Sequence, residues 1–207
     1  MKAINQVIRS PKRGSNDQET IIQFLRNENL CHIAFADGDA SICIPMFYFV
    51  WDKSLCIHGS KASRLINRLK SGGMHAVAVT KVDGIVLARS AFHHSMNYRS
   101  VVAHGKFKEL APADKQKASE VMIDQLVAGR SQEVRMPSES ELKQTVFLTL
   151  DLNLAAFKQR TGPPVDDEAD IDQVGAWVGV VPLATEYLLP IPDQFCDKSA
   201  KTPKFLG

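Results

Sequence analysis

The sequence predicts an α+β protein that is mainly β, a β-barrel with peripheral helices. Several short apolar runs have the length and alternation typical of strands. Helical periodicity is confined to a few segments between them, unlike the regular strand–helix alternation of a doubly wound parallel sheet. The chain of 207 residues is long enough to bury a sizeable core. We therefore expect one domain over residues 17–182.

The N-terminal residues predict an arm followed by a helix. Residues 1–16 contain Pro11, Gly14 and four basic residues, which favours extended chain. Asp17 is a good N-cap, and the apolar residues after it recur at helical spacing. The helix is predicted to end by Asn29.

A hairpin is predicted next. Residues 30–36 and 40–50 read as strands, and Asp37-Gly38-Asp39 between them is a strong turn signal. Pro45 lies inside the second strand, where it cannot donate a ladder hydrogen bond. This predicts an edge strand or a bulge where the backbone faces a ligand.

A third strand and a second helix follow. Residues 54–58 form the strand, Gly59 breaks it, and Ser60 is predicted to cap a helix that runs to about Lys70. Gly72-Gly73 ends that helix.

The rest of the chain predicts six more strands and two more helices. Asp83-Gly84 is interpreted as a hairpin turn, and Gly105 as a bulge. Residues 161–173 read as a loop and residues 183–207 as an extended tail. The predicted strands are 74–82, 85–92, 98–110, 145–152, 155–159 and 176–181, and the helices are 113–128 and 139–143.

Composition excludes several classes of protein. The formal net charge of +2 is too small to indicate nucleic-acid binding by itself. Positive charge is instead local, in a cluster that suits a small anionic ligand and consists of Lys61, Arg64, Arg68 and Lys70. No Ser-His-Asp order, P-loop or Gly-rich dinucleotide motif is present.

The four cysteines have no zinc spacing and no CxxC pair. Cys31, Cys43 and Cys56 each lie in an apolar run, so we expect buried, reduced thiols. No run approaches the ~20 apolar residues of a membrane span, and the first residues lack the apolar stretch of a signal peptide. We expect a soluble cytoplasmic protein.

Residues His58 to Arg64 are a candidate phosphate site. A strand that ends in glycine, followed by a serine at a helix start, leaves backbone N–H groups unpaired at the positive end of the helix. Lys61 and Arg64 lie three residues apart, so they share a helix face and add two cationic donors. The alternative is a capped surface helix with a solvated basic face.

A second cluster extends from Arg89 to Gly105 and holds three of the six histidines. At the start of a strand, Tyr98 and Ser100 face one side and Arg99 faces the other. His93 and His94 are interpreted as a solvated loop tip rather than metal ligands, because adjacent histidines rarely reach one ion.

Two further features have competing interpretations. Trp177 lies in a short apolar run, which is most often core, although a tryptophan there can also stack on a flat ring across a subunit contact. The acidic run within residues 166–172 is interpreted as a solvated loop.

Taken in order, these motifs resemble the FMN-binding split-barrel group, the pyridoxamine-phosphate-oxidase-like proteins that include nitroimidazole-resistance proteins. The resemblance covers residues 30–110 and extends more weakly to Pro182. The motifs that carry it are Ile44-Pro45-Met46-Phe47-Tyr48, His58 to Arg64, Leu87 to Ser90, His93 to Val101, Gly162-Pro163-Pro164 and Trp177-Val178-Gly179.

The resemblance implies a split β-barrel and a homodimer with FMN at the subunit interface. By position, Ile44, Pro45 and Met46 would line the flavin ring. His58, Gly59 and Ser60 would contact the ring edge and ribityl chain, and Lys61, Ser63 and Arg64 would hold the phosphate. Tyr98, Arg99 and Ser100 would reach over from the partner subunit, and Trp177 would close the far side of the ring.

One departure argues against vitamin B6 oxidation. Pyridoxamine-phosphate oxidases carry an arginine-rich C-terminal motif, whereas this chain has no arginine after Arg160. The resemblance therefore favours an FMN-dependent oxidoreductase, a reductase of a small aromatic or nitro-type substrate, with His58 as a proton donor near the reactive face. The alternatives are a flavin carrier or sensor without turnover, and a heme-binding protein with His93, His94 or His104 as the axial ligand.

Overall fold

The computed structural model describes residues 3–172, 175–197, 199–200 and 202. They belong to two compact units, each assembled from separate stretches of chain. The first unit takes its residues from 1–46, 74–105 and 152–184, and the second from 47–73, 106–151 and 185–207.

The described residues form eleven strands and four α-helices. The helices are α1 (Gln18–Arg26), α2 (Arg64–Lys70), α3 (Lys115–Leu126) and α4 (Glu139–Gln144). The strands are β1 (Gly14–Ser15), β2 (Leu30–Asp37), β3 (Ala40–Phe47), β4 (Phe49–Trp51), β5 (Ser54–Ser60), β6 (His75–Leu87), β7 (Ser95–Gly105), β8 (Lys108–Glu109), β9 (Thr145–Asp151), β10 (Ala155–Arg160) and β11 (Gly179–Pro182).

The first unit contains a seven-stranded sheet in the order β1-β10-β7-β6-β2-β3, with β11 also paired to β6. The long β6 and β7 run antiparallel from the pair His75–Gly105 to the pair Val86–Ser95. Helix α1 begins as predicted, because the Asp17 carboxylate accepts the Thr20 N–H at 2.8 Å. It buries Phe24, whose ring meets Phe157 of β10 edge-on at 5.7 Å.

The second unit contains a four-stranded sheet in the order β4-β5-β9-β8. Strands β5 and β9 pair over their whole length, from Ser54–Asp151 to Ser60–Thr145. Buried Phe49, Cys56, Ala118 and Phe147 form one hydrophobic cluster, which joins α3 to the sheet.

The hairpin predicted at Asp83-Gly84 is wrong. Strand β6 continues through this position with a register shift between Val82 and Gly84, because β7 pairs with the residues on both sides. A Cβ at Gly84 would lie 3.0 Å from the carbonyl oxygen of Val181, so glycine lets β11 approach. The signal that suggested a turn therefore marks a bulge.

Other strand limits also differ from the predictions. The predicted strand 40–50 is divided at Tyr48 into β3 and β4, and the predicted strand 98–110 ends at Gly105. Strand β3 continues through Pro45 and is the last strand of its sheet, which confirms the predicted edge position.

The cysteine prediction holds for two of the three thiols. Cys31 and Cys56 are buried, and burial raises the pKa of Cys31 to about 12 and that of Cys56 further. Cys43 is exposed, because β3 is an edge strand and alternate residues of it face outward. Among the described residues, no helix is both long and apolar enough to cross a bilayer.

Candidate functional site

The corner between β5 and α2 (residues 58–64) differs from its predicted form. Strand β5 does not break at Gly59 but stays paired with β9 through Ser60. Helix α2 begins at Arg64, and its N-cap is Ser63, whose Oγ accepts the Ile66 N–H at 3.4 Å. The predicted cap, Ser60, instead accepts the Ala62 N–H at 3.2 Å.

Most of the backbone donors predicted to be free at this corner have partners within the chain. The Lys61 N–H donates to the carbonyl of Gln144 at 3.0 Å, and the Ser63 N–H donates to that of Ser60 at 2.9 Å. The corner therefore offers a phosphate its side chains rather than these amides. Since Ser60 and Ser63 only accept in these bonds, each hydroxyl keeps its own proton to donate beside the exposed Lys61 and Arg64.

Gly59 has a packing role at the corner. A Cβ at this position would lie 2.7 Å from Cγ1 of Ile66, which is buried in α2. Because real Cβ atoms do not approach so closely, glycine is what lets α2 sit against β5.

His58 is held between aromatic rings on β5. Its imidazole stacks on Phe147 at 5.8 Å and meets Phe47 edge-on at 6.3 Å. Burial lowers the pKa of His58, so the imidazole is neutral near pH 7. Its Nδ1 is buried and has no hydrogen-bond partner among the described residues.

His58 lines a cavity of about 340 Å³ in the second unit. Arg135 at this cavity forms a two-pronged ion pair with Glu141 at 2.9 and 3.0 Å, and this pair lowers the pKa of Glu141 to about 2. The lining residues are His58, Ser119, Met122, Arg135, Pro137, Glu141, Leu142, Thr145 and Phe147.

The predicted ring-lining residues lie on β3. Ile44 and Met46 are half-buried and Pro45 between them is exposed. Their predicted contact with a flavin stays a prediction.

The three residues predicted to reach a partner's flavin lie on β7, opposite β10. Arg99 is already engaged in its own chain, where it donates to both carboxylate oxygens of Asp83 at 2.7 and 2.9 Å and lies over the Phe24 ring. The Ser100 hydroxyl lies 3.4 Å from the carbonyl of Lys158. Tyr98 pairs in register with Arg160.

Three histidines were considered as axial ligands. His93 lies 3.3 Å from the Asp167 carboxylate, and His94 Nδ1 lies 2.9 Å from the carbonyl of Ser90. His104 lines a cavity of about 160 Å³, which is below the usual range for ligand pockets.

Trp177 is not a core residue. It is 65% exposed and precedes β11, which begins at Gly179 rather than at the predicted residue 176. The position of Trp177 depends on a small neighbour, because a Cβ at Gly179 would lie 2.9 Å from the indole Cη2.

The acidic loop is not simply solvated. The Asp166 carboxylate is 5% exposed and accepts the backbone N–H of Arg89 and its guanidinium, each at 2.9 Å. Hydrogen bonds from Arg89 keep the pKa of Asp166 below its usual value against the opposing effect of desolvation.

A second basic pocket was missed by the sequence analysis. It has a volume of about 380 Å³ and lies in the first unit, where Lys12 and Arg13 come close to the end of β10. The pocket includes the buried Arg160.

The chain belongs to a flavin-associated split-barrel class, as its motifs indicated: residues 17–159 match the pyridoxamine 5'-phosphate oxidase family model. The chain is thus a member of the pyridoxamine 5'-phosphate oxidase family. The predicted fold class, α+β and mainly β with a split barrel, is confirmed. No curated protein matches the chain.

Two solved structures are similar over nearly the whole chain. The FAD and heme binding protein from Mycobacterium smegmatis is 31% identical with a TM-score of 0.87, over 92% of this chain and 94% of that one. The flavocytochrome Anf3 from Azotobacter vinelandii is 30% identical with a TM-score of 0.88, over 95% and 92%. A 5-nitroimidazole antibiotic resistance protein from Bacteroides thetaiotaomicron, described as putative, shares the fold at 14% identity and a TM-score of 0.57, over 70% and 86%.

Proposed function

We propose that this chain binds a flavin nucleotide, FMN or the larger FAD, and acts as an oxidoreductase. The observation that carries the proposal is the likeness, at about 30% identity over more than nine-tenths of both chains, to two proteins described as FAD and heme binding and as a flavocytochrome. Membership of the pyridoxamine 5'-phosphate oxidase family supports it.

The corner between β5 and α2 has the donors that a flavin phosphate requires. Lys61 and Arg64 supply positive charge, and Ser60 and Ser63 retain hydroxyl protons. Lys61 and Arg64 are exposed, so a dianionic group can reach them from solvent. Their charges have not been desolvated before the group binds.

A bound flavin would supply the electron transfer, and the protein would position the substrate and move protons. His58 suits proton transfer, because its neutral imidazole has a buried Nδ1 without a partner. The proposed reaction is reduction of a small aromatic or nitro-type substrate in the cytoplasm. A flavin carrier or sensor is the non-catalytic alternative.

Fluorescence-quenching titration with FMN and riboflavin tests the binding site. Replacing Lys61 and Arg64 by glutamine should weaken FMN by about 1.5–3 kcal/mol for each charged hydrogen bond lost, and should leave riboflavin unchanged. Lys143→Gln is the charge-matched control, because this α4 lysine is 78% exposed. A purified protein that is colourless and binds neither FMN nor FAD contradicts the proposal.

Turnover separates an enzyme from a carrier. Flavin-loaded protein with NADH or NADPH and a nitroaromatic acceptor should exceed the rate of the same concentration of free flavin. A rate equal to that of free flavin favours the carrier.

Heme is a second candidate ligand, because both of the similar proteins are described as binding heme or as a flavocytochrome. His58 is a further candidate for the axial ligand, because it lines a cavity together with Met122, Leu142 and Phe147. Added hemin should give a Soret band that His58→Ala abolishes and His104→Ala leaves intact.

We also propose that the chain forms a homodimer. Between residues 183 and 197, four apolar side chains are more than four-fifths exposed: Leu188, Leu189, Ile191 and Phe195. Exposed apolar groups in such number are typical of a surface that contacts another chain. Light scattering should give twice the monomer mass, and a mass of one chain at micromolar concentration would contradict the proposal.

A further inference from the structure

Arg160, at the end of β10, is a buried cation whose hydrogen-bond partners among the described residues are all neutral. This residue is only 7% exposed. Its guanidinium donates to three neutral acceptors, the Asn97 side-chain oxygen, the carbonyl of Gly162 at 3.3 Å and that of Pro163 at 3.2 Å. Among the described residues, no carboxylate is hydrogen-bonded or ion-paired to it.

A buried charge in this state is unusual. Charged groups inside proteins are normally paired, because desolvation costs far more than neutral hydrogen bonds return. Desolvation lowers the pKa of Arg160, and the positive charge of the nearby Arg13 lowers it further. The chain places a second positive charge near the first instead of neutralising it.

The surrounding pocket adds further donors and space. Lys12 and Arg13 line the same cavity of about 380 Å³, and neither has an acidic partner within the described residues. Ser15 Oγ accepts the Asp17 N–H at 3.1 Å and keeps its own proton to donate. Thr161 brings another hydroxyl to the pocket wall.

The arrangement is fixed by the fold rather than by a mobile arm. Gly14 and Ser15 of β1 pair with Lys158 and Phe157 of β10, which holds the preceding Lys12 and Arg13 at the strand end. A Cβ at Gly14 would lie 2.6 Å from Val7, so glycine permits this close path of the chain.

We propose that Lys12, Arg13 and Arg160 form a binding site for a phosphate group. Three cations and neighbouring hydroxyls match the charge and the several acceptor oxygens of a phosphate dianion better than they match a single carboxylate. The source of the group is free orthophosphate or the phosphate of a small ligand, a flavin nucleotide included. Its residues belong to the first unit and those of the corner at residues 58–64 to the second, so the proposal uses none of the cations on which the flavin proposal depends.

The test uses exposed residues, because Arg160 variants can fail to fold. Orthophosphate binding is measured by calorimetry and by the rise in Tm that a ligand of the native state produces. The double variant Lys12→Gln, Arg13→Gln should bind orthophosphate at least about tenfold more weakly than the parent. The matched control Lys106→Gln, Lys143→Gln, at exposed lysines outside both cation clusters, should retain it, and Lys61→Gln, Arg64→Gln is measured beside them.

The outcomes separate this site from the flavin site. Loss of orthophosphate binding in the Lys12 and Arg13 pair, with binding retained in the Lys106 and Lys143 pair, supports the proposal, and FMN lost in the first pair while riboflavin is retained identifies a flavin as the source. No binding by the parent of either orthophosphate or FMN, or binding that only the Lys61 and Arg64 pair weakens, overturns it.

Discussion

The corner at residues 58–64 and the pocket around Arg160 are both rich in cations, but they differ in solvation. Lys61 and Arg64 are exposed, so water already stabilises their charges. Arg160 is buried beside Arg13 without a carboxylate among the described residues. We infer from this difference that exposed basic residues indicate a ligand weakly, whereas a buried charge without a carboxylate partner among the described residues indicates one more strongly.

The largest effect expected at the corner comes from Gly59→Ala. The added methyl group would meet Ile66 at 2.7 Å, so we expect a loss of about 1–3 kcal/mol in the free energy of unfolding from overpacking. Urea denaturation measures it. Gly175→Ala is the control, because a methyl group added there would have no atom within 4 Å.

A result within experimental error for Gly59→Ala would contradict the role assigned to this glycine in the packing of α2 against β5. Partial recovery in the double variant Gly59→Ala, Ile66→Val would localise the clash to that contact.

The second prediction concerns the pH dependence of stability. The pKa of His58 is lowered in the folded state, so the unfolded chain binds the proton first as the pH falls below about 7. Stability should therefore fall with falling pH until the folded pKa is passed. His58→Phe should reduce that slope by up to about 1.4 kcal/mol per pH unit.

Urea midpoints between pH 7.5 and 5 measure this slope. If stability fell equally steeply with pH in the parent and in His58→Phe, the conclusion that burial lowers the pKa of His58 would be contradicted. His104→Phe serves as the control histidine variant.

A smaller effect should separate the two serines of the corner. Ser63 caps α2, so Ser63→Ala should cost about 1 kcal/mol. Ser60 bonds only the Ala62 N–H outside the helix, so Ser60→Ala should cost clearly less. If thermal or urea unfolding showed a larger loss of stability for Ser60→Ala than for Ser63→Ala, Ser60 would be the cap, as the sequence predicted.

Local pattern predicted much of the fold. The predicted strands 145–152 and 155–159 correspond to β9 and β10 within one residue at each end, because apolar alternation and burial agree there. The Ser60 cap was wrong because two serines three residues apart precede the same helix. Only the continued pairing of β5 with β9 excludes the first of them.

The missed features all depend on contacts distant in sequence. Arg160 and Lys12 are far apart along the chain, and pairing of β1 with β10 brings them to one pocket. Asp83 resembled a turn residue, but its carboxylate holds Arg99 of the neighbouring strand. The hydrophobic period of a single strand or helix carries no information about such contacts, so they could not be assigned from sequence alone.

The smallest expected effect comes from removing the carboxylate of Asp83, which pairs with Arg99 in the first unit. Asp83→Asn removes the charge that faces Arg99 in a partly exposed pair, so we expect a cost of about 0.5–1 kcal/mol, reduced by screening. The pKa of Asp83 is lowered mainly by its hydrogen bonds with Arg99. The stability that the ionised carboxylate confers is lost as the pH falls through that pKa. Asp83→Asn should therefore make the free energy of unfolding less dependent on pH below 4. Orthophosphate should not recover the lost stability beyond the rise seen in the parent. A specific recovery would mean that Arg99, once released, also binds the anion, and the contrast between paired and unpaired arginines would then fail.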